Sequence, residues 1–255
     1  MVDKRLFDAY ADAMGVNAEL VHAATKELVR SLGGVPAEGL ADALRDGYAA
    51  LVSTYGDLAA AIAVEFYRRQ RAAGGVTVPY DPEAFPADNV NLLPWDVQHA
   101  LQSGDVAGSL GGSVVQRVME YGDATLIANA RRDPAHPKWA LVPHAGACGW
   151  CRLMGSRGFS YASERTARDV RHPNCRCSVA VDFDASDPAL EGYDPDALGD
   201  EYIEARDAVE DAAREEWAAM DADARAEFRR THNVKGRSDY DVFLRNKMIG
   251  HMNRR

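Results

Sequence analysis

PAEGLADALRDGYAALVSTYGDLAAAIAVEF, residues 36–66, decides the fold class. Leu40, Leu44, Tyr48, Leu51, Tyr55, Leu58, Ile62 and Phe66 recur at steps of three and four, which predicts one apolar stripe of about seven helical turns. Pro36 suits the first turn of such a helix, where its missing N–H is not needed. Gly47 and Gly56 each cost roughly 1 kcal/mol relative to Ala, so a bend or break is expected there. A stripe of this length forms half of a helical hairpin or bundle, or a partner-facing helix in an assembly. It ends at Arg68-Arg69-Gln70-Arg71, a solvated last turn favoured by the helix dipole.

Working outward, Tyr10 and Met14 mark a short helical segment and Val21, Leu28 and Leu32 a second. Downstream, Pro79, Pro82, Pro86 and Pro94 make a connector too proline-dense for regular structure. Val106, Leu110, Val114, Val118 and Tyr121 then predict a helix over about 105–130. Gly111-Gly112 is a kink or close-packing point, and no phosphate-loop Gly-Lys-Ser/Thr follows it. Tyr202, Ala205, Val209, Ala213, Trp217, Met220, Ala224 and Phe228 give one more long amphipathic helix with an acidic outer face. The last segment reads as a short helix with a flexible basic end.

All four cysteines lie between these helical regions, as Cys148-Gly-Trp-Cys151 and His172-Pro-Asn-Cys175-Arg-Cys177. Two close thiols followed about twenty residues later by a second His/Cys cluster is the spacing of a structural zinc site. Five candidates serve four positions: Cys148, Cys151, His172 and Cys175 are the preferred set, with Cys177 the rival. Pro173 and Asn174 supply the turn between His172 and Cys175. Cys175, Cys177, Val179, Val181 and Phe183 alternate with more polar residues, which predicts a strand with its cysteines on the apolar face. Trp139, Leu141 and Val142 predict a strand before the first pair, and a helix or loop fills 160–171. Met1–Asp8 lacks the apolar core of a signal peptide, so a reducing compartment, and metal over disulfide, is the expectation. A redox Cys-x-x-Cys would want a βαβ setting. His136 and His144 flank the first pair as substitute ligands. His22, His99, His232 and His251 are isolated, as surface or packing residues.

The fold class expected is mainly α, with long amphipathic helices around a small α+β zinc-stapled module. It divides into a helical region at 1–75, a Pro-rich connector and helix at 76–131, the Cys/His module at 132–183, and an acidic linker, long helix and basic tail at 184–255. The formal charge of −10 argues against a duplex-DNA binder as a whole. The charge is divided, however. Residues 182–224 carry sixteen Asp/Glu against two Arg, and 225–255 carry nine Lys/Arg against three Asp/Glu. No uninterrupted apolar run approaches the roughly 18 residues of a membrane helix, so no membrane is expected.

The run Cys148-x-x-Cys151, Gly158, Tyr161 and His172-Pro173-Asn174-Cys175-Arg176-Cys177 resembles the signature of the phage Mu F-like minor head proteins. The specific resemblance covers roughly residues 138–183. It implies a minor capsid protein of a tailed phage, made in the host cytoplasm, incorporated in the virion and associated with the portal or major capsid protein. On this reading the zinc is structural, no catalysis is expected, and the basic tail is able to touch packaged DNA. The alternative is a zinc-stapled, metal-dependent nuclease or other DNA-acting enzyme. Against a deaminase, His144-Ala145-Gly146 and His172-Pro173-Asn174 lack the required Glu. Against a nuclease, a ligating His172 cannot be a general base, and five potential ligands crowd a site that catalysis would need open.

Overall fold

The computed structural model describes residues 1–87, 90–160, 171–232 and 238–254. Tyr161, nearly all of the helix or loop expected at 160–171, and Lys235-Gly236-Arg237 lie outside the described residues. Eight α-helices and one two-stranded sheet account for the regular structure of the described residues, so the protein is mainly α. Two compact units divide it: Met1–Ala145 with Phe159–Tyr193, and Gly146–Gly158 with Asp194–Arg255.

In the first unit, α1 (Lys4–Ser31) is one unbroken helix, where the apolar spacing suggested two short ones. Asp3 caps it by accepting from the Arg5 and Leu6 N–H groups. Tyr10, Met14, Ala18 and Val21 then form a single buried face, which outweighs the low helix propensity of Gly15. The long helix α2 (Ala37–Ala73) is also unbroken, with neither glycine ending it. Gly47 and Gly56 instead mark close approach, since a Cβ there would stand 2.5 Å from Leu28 and 2.8 Å from the Tyr121 ring. The inner stripe accordingly runs Leu44, Tyr48, Val52, Ala59, Ala63 and Phe66, while Leu58 faces outward. By length and composition alone α2 could cross a membrane, with a mean hydropathy of 1.3 over 18 residues. Its alanines, which hide that apolarity from a search for large residues, also suit a helix packed on α1 and α4.

The proline-rich connector is irregular through Ala87, and the short turn Val90–Leu92 leads into α3 (Leu93–Ser103). Pro94 occupies the first turn of α3, a helix the proline density concealed. Helix α4 (Val106–Arg132) packs on α1, α2 and α3. Its buried Thr125 and Asn129 hold the connector in place. Thr125 bonds the backbone of Phe85 on both sides, and Asn129 receives the Tyr80 hydroxyl and Glu83 N–H while donating to the Glu83 carbonyl. Asp133, fully buried, accepts from Tyr67 and Arg71 and so ties the end of α2 to the end of α4.

Strands β1 (Lys138–Val142) and β2 (Ser178–Asp182) pair antiparallel with Trp139 opposite Val181 and Leu141 opposite Val179. The expected strand over Cys175–Phe183 begins only at Ser178, and every residue of β2 is buried instead of alternate ones. Small side chains at Ser178 and Ala180 let β2 pack on α2 and α4, and Asp182 is satisfied by the N–H groups of Asp184 and Ala189.

The second unit contains α5 (Gly149–Gly155), α6 (Pro195–Ala219), α7 (Ala222–Thr231) and α8 (Asp239–Met252). The expected single acidic helix is two: Met220 is extended, and Asp221 caps α7 by accepting from Ala224 N–H at 2.8 Å. Ala205, Ala213, Phe243, Leu244, Met248 and Met252 form the core, ringed by Trp217, Phe228 and Tyr240. The basic end is therefore part of a packed helix through Met252.

Candidate metal centre

The Cys148-Gly-Trp-Cys151 knuckle is the entry to α5. Cys148 takes the N-cap position in extended conformation, and its carbonyl accepts from Arg152 N–H at 3.0 Å. Cys151 follows one turn later, so both thiols belong to the same face of the helix. Cys151 is buried and Cys148 half-buried. The knuckle is anchored from α8: Gly149 N–H donates to Asn253 Oδ1, and a Cβ at Gly149 would stand 2.8 Å from Met252 Cβ. Arg152 clamps the other side, donating to the Ala147 and Met252 carbonyls and pairing with Glu201 at 3.0 Å.

The second motif is a tight turn docked on α4. Cys175 N–H closes the turn on the His172 carbonyl at 3.0 Å, and Asn174 adopts a left-handed φ of 62°, which Asn tolerates. Asn174 N–H donates to the Gly112 carbonyl at 3.0 Å. A Cβ at Gly112 would stand 2.9 Å from Asn174 Nδ2 and 3.2 Å from Pro173, so the glycine pair is a docking point for the turn, with α4 continuous through it. The His172 ring places Nδ1 2.8 Å from the Pro173 carbonyl oxygen. A proton on Nδ1 satisfies that carbonyl and puts the lone pair on Nε2, the tautomer that binding a metal through Nε2 requires. Cys175 and Cys177 are both buried, just ahead of β2.

Beside Cys175 lies a buried ion pair that motif reading missed. The Arg171 guanidinium meets Asp123 of α4 through two nitrogens, Nη2 at 2.6 Å from Oδ1 and Nε against Oδ2. Its remaining nitrogen, Nη1, donates to Cys175 Sγ at 3.6 Å. Burial pushes the Asp123 carboxyl above the usual carboxylate range, against the pull of Arg171. On Arg171 burial disfavours the charge, and the adjacent Asp123 outweighs it, so the guanidinium stays protonated. The sole sequence trace of this pair is an Asp on the apolar face of α4.

None of the four cysteines is in a disulfide. Cys148, Cys151 and His172 make one group that could hold a metal ion, and Cys151, Cys175 and Cys177 make another. The donor chemistry suits zinc, which takes thiolate and imidazole in fours. His136 and His144 are in neither group. His22 is a packing residue, its ring against Gly111.

No curated protein and no solved structure matches the chain. The family model for VG15 protein matches residues 1–205, which include both helical hairpin partners α1 and α2, the sheet and all five candidate ligands. With four-fifths of its length inside that match, the chain belongs to the VG15 family of viral proteins.

Proposed function

We propose that the protein is a structural minor capsid protein of a tailed phage, acting in head assembly near the portal, with one non-catalytic zinc ion held by Cys148, Cys151, His172 and Cys175. The observation that carries this reading is a pair of candidate metal groups that share Cys151, within a viral-family chain; three thiolates and one imidazole would fill a tetrahedral ion and leave no position for substrate. Such an ion contributes folding free energy by joining segments about twenty residues apart in sequence. Residues 138–183, which resemble the Mu F-like minor head proteins, contain the whole set.

Metal analysis of protein purified under reducing conditions tests the site. About one zinc per chain is expected, lost in Cys151→Ser and kept in Cys177→Ser; a wild-type chain without zinc overturns the metal reading. The capsid role is tested by co-expression with the portal and major capsid proteins of the same phage. Sedimentation with assembled heads supports it, and a chain that stays at the top of the gradient in the presence of well-formed heads overturns it. A nuclease would reveal itself by cleaving supercoiled plasmid in Mg2+ or Zn2+, and none is expected.

A further inference from the structure

Arg171 is placed where an ordinary structural salt bridge would not need it. Its side chain is 1% exposed, and Asp123 uses only two of its three nitrogens. The third nitrogen faces a sulfur. A buried Arg–Asp pair is neutral as a unit, so a neutral thiol beside it receives little from the remaining N–H. A zinc-bound thiolate changes the balance. Three thiolates and a histidine on a divalent ion leave one net negative charge in a buried place, and a donor from a cation is then both shorter of water and better paired than any solvent contact. The Arg171 donor goes to Cys175, and Asp123 fixes the fork so that it cannot rotate away.

We infer that Arg171, positioned by Asp123, is an outer-sphere ligand-tuning residue that donates to the metal-bound Cys175 thiolate. This rests on the zinc reading above. Asp123 acts by orientation, holding the Arg171 fork with Nη1 on the sulfur. Outer-sphere partners of metal ligands typically change metal affinity by about 10–100-fold when removed.

The test uses the full chain and four proteins: wild type, Arg171→Gln, Asp123→Asn, and the double variant Arg171→Gln/Asp123→Asn. The double variant keeps a hydrogen-bonding amide in both places and leaves no buried charge unpaired, so it guards against simple unfolding; its metal-free melting is compared with wild type. Zinc affinity is measured by chelator competition, and the Co2+-substituted proteins are read by their sulfur-to-metal charge-transfer band. The double variant is expected to bind one ion about 10–100-fold more weakly than wild type, with the band moved to longer wavelength, because a thiolate without its donor is more electron-rich. Asp123→Asn alone, which loosens the fork but keeps the guanidinium, should lose less affinity than the double variant. Equal affinity and an unmoved band in the double variant overturn the inference while leaving the zinc site standing. An Asp123→Asn loss as large as that of the double variant also overturns it, by showing that the pair acts as structure alone. A wild-type chain that takes up neither zinc nor cobalt overturns the metal reading and this inference with it.

Discussion

Removal of residues 245–255 from the basic end is expected to dismantle the second unit and release the metal. The deletion takes out Met248 and Met252, each 1% exposed. Truncating a buried Met costs about 2–5 kcal/mol once the cavity is included. It also removes the Asn253 acceptor of Gly149 N–H and the Met252 carbonyl that receives Arg152, contacts worth roughly 0.5–1.5 and 1.5–3 kcal/mol respectively. The Lys247–Glu216 pair and the Arg245 guanidinium over Trp150 go as well; as contacts open to water on one side they add on the order of 1 kcal/mol between them. The loss is about 7–15 kcal/mol. A unit of about 75 residues has on the order of 4–11 kcal/mol of stability to lose.

Hydrogen exchange and metal analysis on the 1–244 chain read the outcome. Amides of α6 should lose protection, and zinc should fall well below one per chain, because Cys148 and Cys151 stand on the segment that α8 anchors. A charge-only control, Arg245→Ala/Lys247→Ala/Arg254→Ala, should keep both. A truncated chain with protected α6 amides and one zinc would refute the reasoning and restore the sequence-based picture of a flexible basic end.

Gly112→Val drives a side chain into Asn174 and Pro173; zinc affinity should fall by about 10-fold or more, by chelator competition, with helix content by circular dichroism unchanged. Trp217 touches Phe228, Tyr240 and Phe243 with ring centroids 5.2–6.2 Å away. Trp217→Ala should therefore destabilise the second unit by about 2–3 kcal/mol, less than a fully buried tryptophan would, measured by denaturant unfolding followed at α6. The His22 imidazole is held below its ordinary 6.5 by burial first, and then by Lys26 and Arg176. Its folded form takes up a proton less readily than its unfolded form, so the associated stability is full above the unfolded value and is lost as pH falls below it. Urea midpoints at pH 7.5 and pH 5 should differ less in His22→Gln than in wild type.

Periodic signals were legible in the sequence and solitary partnerships were not. The α4 stripe repeats at a helical spacing and the cysteine motifs at short fixed ones, so the helix, the turn and the residues that could hold a metal were readable directly. The inner face of α2 was shifted because Ala59 and Ala63 bury as well as Leu does where helices approach closely, and a search for large residues passes over them. The break at Met220 was hidden in an unbroken run of good helix formers, with Asp221 as its one sign. In α8 the clue was present but masked by charge: Leu244, Met248 and Met252 lie at steps of four among basic residues. Arg171 and Asp123 are 48 positions apart and leave no periodic trace. Their pairing is a property of the fold.

The same burial bears on nucleic acid. Read along the sequence, a strongly acidic block precedes a basic tail, and the tail looks available to DNA. In the fold the tail and the acidic block from Asp194 onward belong to the second unit, which carries thirteen Lys/Arg against fifteen Asp/Glu and is close to neutral. Basic side chains there face acidic ones: Lys247 lies 2.6 Å from Glu216, and Arg229 lies 2.8 Å from Asp239. Each such exposed pair is weak. Together, though, they mean that a phosphate must compete with a carboxylate already in place, beside an acidic α6 that repels the duplex. Affinity for DNA scales with the number of phosphates neutralised, at a slope of about −0.9 per contact in log salt. The expected slope for a short duplex is between zero and about −2, with no binding at 0.15 M salt by fluorescence anisotropy. Submicromolar binding at that salt, with a slope steeper than about −4, would show that these pairs open and that the tail does engage DNA.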